Sequence, residues 1–403
     1  MIFNTIGTLT YLICQWLNTF IVARISGFEA AGIFALALSY TNMLYILASY
    51  SMRGYQVSDT SLSYTTGIYL GSRIATVAIT LGICVVILLF SSYDEMQKHA
   101  ILLYTAFRLI EAFVDVIYGI FYKLQRTDII CISFVFRGIG STAVFGLILH
   151  FLDSLHLAFI SMTICSILVM IAIDLFQANK LDTIKPSFKK NQIKGLLVTC
   201  FPLVVCSFLA VLSSIVPRLF IERILGSEQL GFFASVSAPT LIVQAAAGFV
   251  VVPLVVVFAR YYMKKQYKRF TVLFMKCTLS ICAFASLGII GAYFLGEVGL
   301  TFLFGEEIIP YEYLLAPMII TSALAGMQIL ASQTSTIIRD FRGLIISGVV
   351  GVIISFLFSP YFIEKQGLNG GNNVAIISLL LQILALILFA LLKLRKERSN
   401  SFG

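Results

Sequence analysis

Apolar blocks about 20 residues long recur from one end of the chain to the other, the length an α-helix needs to cross a hydrocarbon core about 30 Å thick. A backbone inside lipid must satisfy its own hydrogen bonds, so only helices and closed barrels are open to such a chain. The period-two alternation of a barrel strand is absent. The blocks predict twelve spanning helices, at 2–23, 31–52, 73–93, 100–122, 129–152, 155–177, 195–217, 230–258, 271–295, 313–337, 343–363 and 373–392. Polar sequence without a small-residue cleavage site follows the first block, which is therefore expected to be a retained helix and not a signal.

Composition supports the same class. Charged residues make up 12% of the chain and hydrophobic residues 59%, whereas a soluble domain carries about 25% charged residues. Such a chain cannot present a water-facing surface by the usual means. All eight cysteines fall inside the blocks without Cys-x-x-Cys spacing, which suggests packing residues and neither a disulfide framework nor a zinc site.

The charge of +9 is distributed in a way that orients the chain. Loops after even-numbered spans, with the C-terminal tail, hold 20 Lys and Arg, and loops after odd-numbered spans hold five. The positive-inside rule then predicts a multi-pass protein with both termini in the cytoplasm. The segment "LGEVGLTFLFGEEIIPYEY", with four glutamates and no Lys or Arg, falls on the other side.

A short phrase is written twice. "RISGFEAAGIFA" occupies 24–35 and "RILGSEQLGFFA" occupies 223–234, with seven of twelve positions identical. Each copy ends the first span of a group of six, so the chain divides into two halves of like topology. Parallel repeats of this kind are related by an axis along the membrane normal. The expected organisation is a six-helix bundle over 1–177, a cytoplasmic linker over 178–194, and a second six-helix bundle over 195–403 with a basic tail. Within the phrase, Gly27 and Gly226 suit positive φ after a helix. Glu29 and Glu228 then open the next helix, whose dipole favours a carboxylate. All eight prolines lie at or after Pro186, so helix bends are expected mainly in the second half.

Ionisable groups inside a span mark candidate functional positions, because the bilayer penalises them. In the fourth span, "AILLYTAFRLIEAFVDVIYGIFY", Arg108, Glu111 and Asp115 fall within about 60° of one another on a helical wheel. Tyr104, Tyr118 and Tyr122 share that stripe. It can lock helices through an Arg108–Glu111 pair, leaving Asp115 for Arg137 of the fifth span, or it can line a transport path. Arg53 and Arg218 end spans near the interfaces, where plain anchoring is an alternative. If these cations face a common cavity, the ligand is anionic, and arginine matches phosphate bidentately.

Several function classes find no support. There is no P-loop, Gly-x-Ser-x-Gly or His-Glu-x-x-His motif, and the longest predicted loops are shorter than about 20 residues. Nucleophilic and metal chemistry therefore find no visible support, and no cofactor, metal or nucleic-acid partner is implied.

With those residues in place, the chain resembles the polysaccharide flippases of the MATE-like superfamily, which carry O-antigen or capsule repeat units. "SMRGYQVSD" followed by "YLGSRI" is similar to that family's helix 2–3 link, and "QRTDIICISFVFRGI" to its start of helix 5. "VVPLVVVFARYYMKKQYKRF" and "IIRDFRGLIISGVVG" resemble its helix 8 end and helix 10–11 turn. The likeness runs over essentially the whole chain, although the N-terminus starts several residues short of the usual pattern.

The resemblance implies a MATE-like, all-α integral membrane fold and alternating access without ATP. Its cargo would be an undecaprenyl-diphosphate-linked oligosaccharide crossing the bacterial cytoplasmic (inner) membrane. Membrane lipids, a polysaccharide polymerase and a chain-length regulator are the partners such a carrier would meet. Arg53 matches a basic position ending helix 2, and Arg24 and Arg218 lie at comparable helix ends. Together with Arg137 they form the candidate pyrophosphate-binding set. Arg108, Glu111 and Asp115 form the candidate ion-coupling or cavity-lining set. The alternatives are an ion-coupled drug or metabolite exporter of the same superfamily, a membrane polymerase or acyltransferase, and a non-catalytic scaffold.

Overall fold

The computed structural model describes residues 2–59, 63–182 and 184–399, with side chains described except at 2, 4, 245–247, 249, 250, 252, 253 and 395–399. The tail cations Arg395, Lys396 and Arg398 therefore lie outside the described side chains, as does Pro253. Among the described residues every regular element is helical.

The order is α1 (Ile2–Ser49), α2 (Met52–Ser58), α3 (Thr66–Phe90), α4 (Glu95–Lys123), α5 (Thr127–Leu152), α6 (Leu155–Val169), a π-helical turn (Met170–Leu175) and α7 (Phe176–Leu181). There follow α8 (Lys190–Leu225), α9 (Ser227–Met263), α10 (Tyr267–Phe304), a 3-10 segment (Glu306–Leu314), α11 (Leu315–Ile337), α12 (Phe341–Gln366) and α13 (Leu368–Ser399). Among the described residues nine segments are long and apolar enough to cross a membrane. One of them, Thr5–Ser58, is 54 residues long and contains the bend of α1. The charged α4 is not among the nine, and α9 contributes only the short apolar stretch Leu254–Met263. The protein is thus a multi-pass membrane protein, and the count of twelve rests on treating the α1 bend, α4 and α9 as crossings.

Contacts divide the chain into two compact units, Met1–Phe208 and Leu209–Gly403. The same helix pairs recur inside each. In the first, α5 packs on α6, α4 on α6, α3 on α4, and α1 on both α3 and α4. In the second, α12 packs on α13, α11 on α13, α10 on α11, and α9 on both α10 and α11. Close approach recurs as well. A Cβ at Gly138 of α5 would lie 3.3 Å from Cys14 Sγ of α1, and one at Gly348 of α12 would lie 2.8 Å from Leu209 Cβ of α8. Small residues let helix backbones approach where lipid offers no hydrophobic drive. The division falls within α8, not in the 178–194 linker, for a packing reason. Leu196 and Cys200 on the first turns of α8 are buried in the N-terminal core with Met52, Ile68, Tyr69 and Val116.

The repeated phrase folds alike in both places. Gly27 has φ 82° and ψ 179°, and Gly226 has φ 90° and ψ 170°. This region of φ/ψ space is open essentially to glycine alone. It bends α1 between its two arms and separates α8 from α9, with Glu228 in the first turn of α9. By contrast α8 continues as helix through Pro202 and Pro217. Nothing lies within 4 Å of a Cβ added at Gly27 or Gly226, so the cost of alanine there is conformational and not steric. Gly27→Ala and Gly226→Ala are each expected to lose about 1–3 kcal/mol, read by thermal unfolding in detergent. Gly82→Ala is the control: it has equal space and an ordinary helical backbone, and should be neutral or slightly stabilising. Unchanged stability in both phrase variants would remove the conformational account.

Candidate functional site

Side chains of the stripe expected on α4 pair with neighbouring elements of the N-terminal unit. At one end the Arg108 guanidinium pairs with Glu111, lies 4.6 Å from the centre of the Tyr45 ring, and donates from Nη2 to Asn42 Oδ1 at 3.4 Å. One turn on, Asp115 receives two arginines. Arg53 Nη1 lies 2.8 Å from Oδ1, and Arg73 Nη2 donates to Oδ2 at 3.2 Å. Arg73 also donates from Nη1 to the Ala48 carbonyl at 2.6 Å. Further along, Tyr118 shares a 2.8 Å hydrogen bond with Ser133 of α5 and accepts one from Arg137 Nη1 at 3.2 Å. Arg137 Nη2 donates to Asp174 Oδ2 at 2.6 Å.

Two partners differ from the sequence expectation. Arg137 does not reach Asp115; it pairs with Asp174, a residue not singled out in the sequence. Asp174 lies in the π-helical turn Met170–Leu175 and is fully buried. A π-turn adds a residue to the helical turn and re-aims its side chains, and such turns gather at functional positions. Arg73 opens the third predicted span, yet it is completely buried on α3. The stripe thus holds four arginines (Arg53, Arg73, Arg108, Arg137) against three carboxylates (Glu111, Asp115, Asp174). The excess positive charge has an address, because Arg53 is 43% exposed while the Arg73 and Arg137 side chains are at 0% and 2%.

The carboxylates are not equivalent either. Both oxygens of Asp115 are taken by arginines. Glu111 Oε1 and Asp174 Oδ1 are buried and meet no hydrogen-bond donor among the described residues. Of the remaining candidates, Arg24 is exposed on α1 and outside this network, and Arg218 is half-buried on α8 in the other unit. No ion pair reaches either of them among the described residues. The second unit has a neutral polar centre of its own. Ser355 donates to the Ser213 carbonyl at 2.8 Å, and Gln382 Nε2 donates to Ser378 at 3.1 Å and Ser213 Oγ at 3.3 Å. These residues carry no charge, so the bilayer's penalty on ionisable groups does not mark them in the sequence.

The fold is shared with solved membrane transporters. The lipid II flippase MurJ superposes with a TM-score of 0.74 over 96% of this chain and 87% of that one, at 14% identity. A multidrug resistance MATE family transporter of the MOP superfamily gives 0.68 over 97% and 95%, at 12% identity. The architecture is therefore that of the MATE-like transporters. The family described as "Polysaccharide biosynthesis protein" matches residues 1–261, and the chain belongs to it. The "Capsular polysaccharide biosynthesis protein CapF" of Staphylococcus aureus is 24% identical over 297 residues, 73% of this chain and 74% of that protein.

Proposed function

We propose that the protein is a flippase for undecaprenyl-diphosphate-linked oligosaccharide repeat units in the bacterial cytoplasmic membrane. It works by alternating access, has both termini in the cytoplasm and twelve crossings, and serves O-antigen or capsule assembly. The polysaccharide biosynthesis family, the capsular relative and the flippase fold all support a lipid-linked sugar as cargo. The observation that carries the reading is Arg53, an exposed guanidinium held in place by a carboxylate that a fully buried second arginine also holds. An arginine with free donors and a fixed position suits a diphosphate, which accepts its fork of N–H groups bidentately. Arg24, Arg137 and Arg218 complete the candidate set at the sequence level. Of these, Arg137 is engaged by Asp174 and Tyr118, which suits a supporting role better than direct contact.

For coupling to an ion gradient, Glu111 is the better of the two sequence candidates. Its Oε1 meets no donor among the described residues, so a proton or a monovalent cation has an acceptor there, whereas both oxygens of Asp115 are taken by arginines. The test is deletion of the gene in its source bacterium with complementation by wild type, Glu111→Gln or vector. Vector should leave no surface polymer, with complete repeat units held on the cytoplasmic leaflet. Glu111→Gln should restore little polymer when compared with wild type at equal protein level. The MATE neighbours keep a drug exporter in view; intact polymer in the vector strain would favour it. Unpolymerised units on the outer leaflet would instead indicate a polymerase.

A further inference from the structure

A second site lies away from the stripe, where the 178–194 linker meets α8. A cavity of about 520 Å³ opens there, bounded by Tyr50, Phe188, Lys190, Lys194, Val198 and Phe201 among others. Lys190, Lys194, Val198 and Phe201 occupy i, i+4, i+8 and i+11, within about 80° on one face of a helix. The face changes from cationic to apolar along the helix axis. On its opposite side α8 buries Leu196 and Cys200 in the N-terminal core, so this face is turned away from that core. Phe188, Val198 and Phe201 are 63%, 64% and 56% exposed.

The wall is fixed and its charge is not neutralised. Ser187 donates its backbone N–H to the Gly67 carbonyl at 2.8 Å, pinning the linker to α3. A Cβ at Gly67 would strike the Lys185 carbonyl, and one at Gly71 the Ser187 carbonyl, so the approach depends on two glycines. Phe188 and Lys190 are thereby presented on an anchored segment. Asp182, the one linker carboxylate, accepts from Thr66. Lys190 and Lys194 have no ion pair among the described residues.

We propose that this cavity binds one anionic phospholipid, with its phosphodiester at Lys190 and Lys194 and an acyl chain against Phe188, Val198 and Phe201. Two ammonium groups one helical turn apart suit a compact single negative charge, since lysine acts as a point charge and not a fork. The apolar run below them needs a hydrocarbon cover that a free phosphate lacks. A membrane-spanning α8 places the lysines at headgroup depth and Phe201 about 10 Å beyond Lys194, in the acyl region. The inference needs only that α8 crosses the bilayer and does not depend on the cargo. A lipid seated there braces the linker against α8, and binding to the folded state stabilises it by linkage.

The experiment uses the full chain in neutral detergent, titrated with phosphatidylglycerol and, separately, phosphatidylcholine of the same acyl chains. Native mass spectrometry and thermal unfolding are read together. Wild type should retain one phosphatidylglycerol per chain and unfold at a higher temperature with it, and phosphatidylcholine should do neither. Lys190→Gln/Lys194→Gln should weaken binding about 10-fold or more, given the strength of one basic side chain at an anionic surface. Lys185→Gln/Lys189→Gln removes the same charge from residues outside the cavity wall and should weaken binding distinctly less than Lys190→Gln/Lys194→Gln. Val198→Trp keeps both lysines but fills the groove, and should also lose the lipid. Equal losses in the two double variants would overturn the site in favour of a diffuse basic surface. Full binding by Val198→Trp would overturn the acyl seat. Competition by glycerol phosphate at millimolar concentration would show a phosphate-only contact, and saturation by a lipid diphosphate but not phosphatidylglycerol would make the groove part of the cargo path.

Discussion

Asp174→Ala is expected to cost about 3–5 kcal/mol of stability, enough to remove most folded protein from the membrane. The reason is arithmetic of charge in a dry place. Arg137 is 2% exposed and Asp174 fully buried, joined at 2.6 Å, and removing one member strands the other without solvent. Breaking a buried pair from one side has that order of cost, whereas replacing both members by apolar residues of similar volume is often neutral. Arg137→Met/Asp174→Leu should therefore recover much of the thermal stability that Asp174→Ala loses. The pair of variants separates two roles. If the double variant is stable and still carries cargo, the Arg137–Asp174 bond is a brace between α5 and the π-turn. If it is stable and inactive, the bond takes part in the transport cycle, as the placement of Asp174 on a π-turn invites. A single Asp174→Ala variant as stable as wild type would refute the packing account of both residues.

The sequence made the outer architecture legible and the inner wiring only half so. Block length is an additive property of short windows, and it survives without knowledge of neighbours. The repeat was legible because glycine at φ near +85° has no substitute, so Gly27 and Gly226 stand out in any reading. The α4 stripe was legible because three charges on one helix face are a local pattern. Arg73 and Asp174 escaped for the opposite reason. Arg73 opens the third predicted span, where a cation reads as an interfacial anchor, and only the fold brings it to Asp115, 42 residues away. Asp174 lies near the end of the sixth span and meets Arg137 across 37 residues. Periodicity along one helix carries no information about which residue on another helix completes a pair. A lone carboxylate in "SILVMIAIDLFQ" is nonetheless costly enough in lipid to demand a partner.

Arg53→Ala should behave in the opposite way, with a small change in stability and a large one in transport. The side chain is 43% exposed, and exposed ion pairs contribute about 0–1 kcal/mol. Asp115 keeps its bond to Arg73 when Arg53 is gone, so no buried charge is stranded. Under the proposed function, what is lost is a preset fork for the diphosphate of the cargo. A hydrogen bond to a charged group is worth about 1.5–3 kcal/mol, which corresponds to a fall of about 10- to 150-fold in cargo affinity. Arg53→Lys keeps the charge but gives up bidentate geometry and should fall between alanine and wild type. Arg73→Ala provides the contrast: it removes a fully buried cation that also holds the Ala48 carbonyl, and its main effect should be on folding. The measurement is binding of a short-chain lipid diphosphate to purified variants, with thermal unfolding of the same samples. Wild-type affinity in a folded Arg53→Ala protein would remove Arg53 from the cargo site and leave the excess charge of the stripe to the exporter reading.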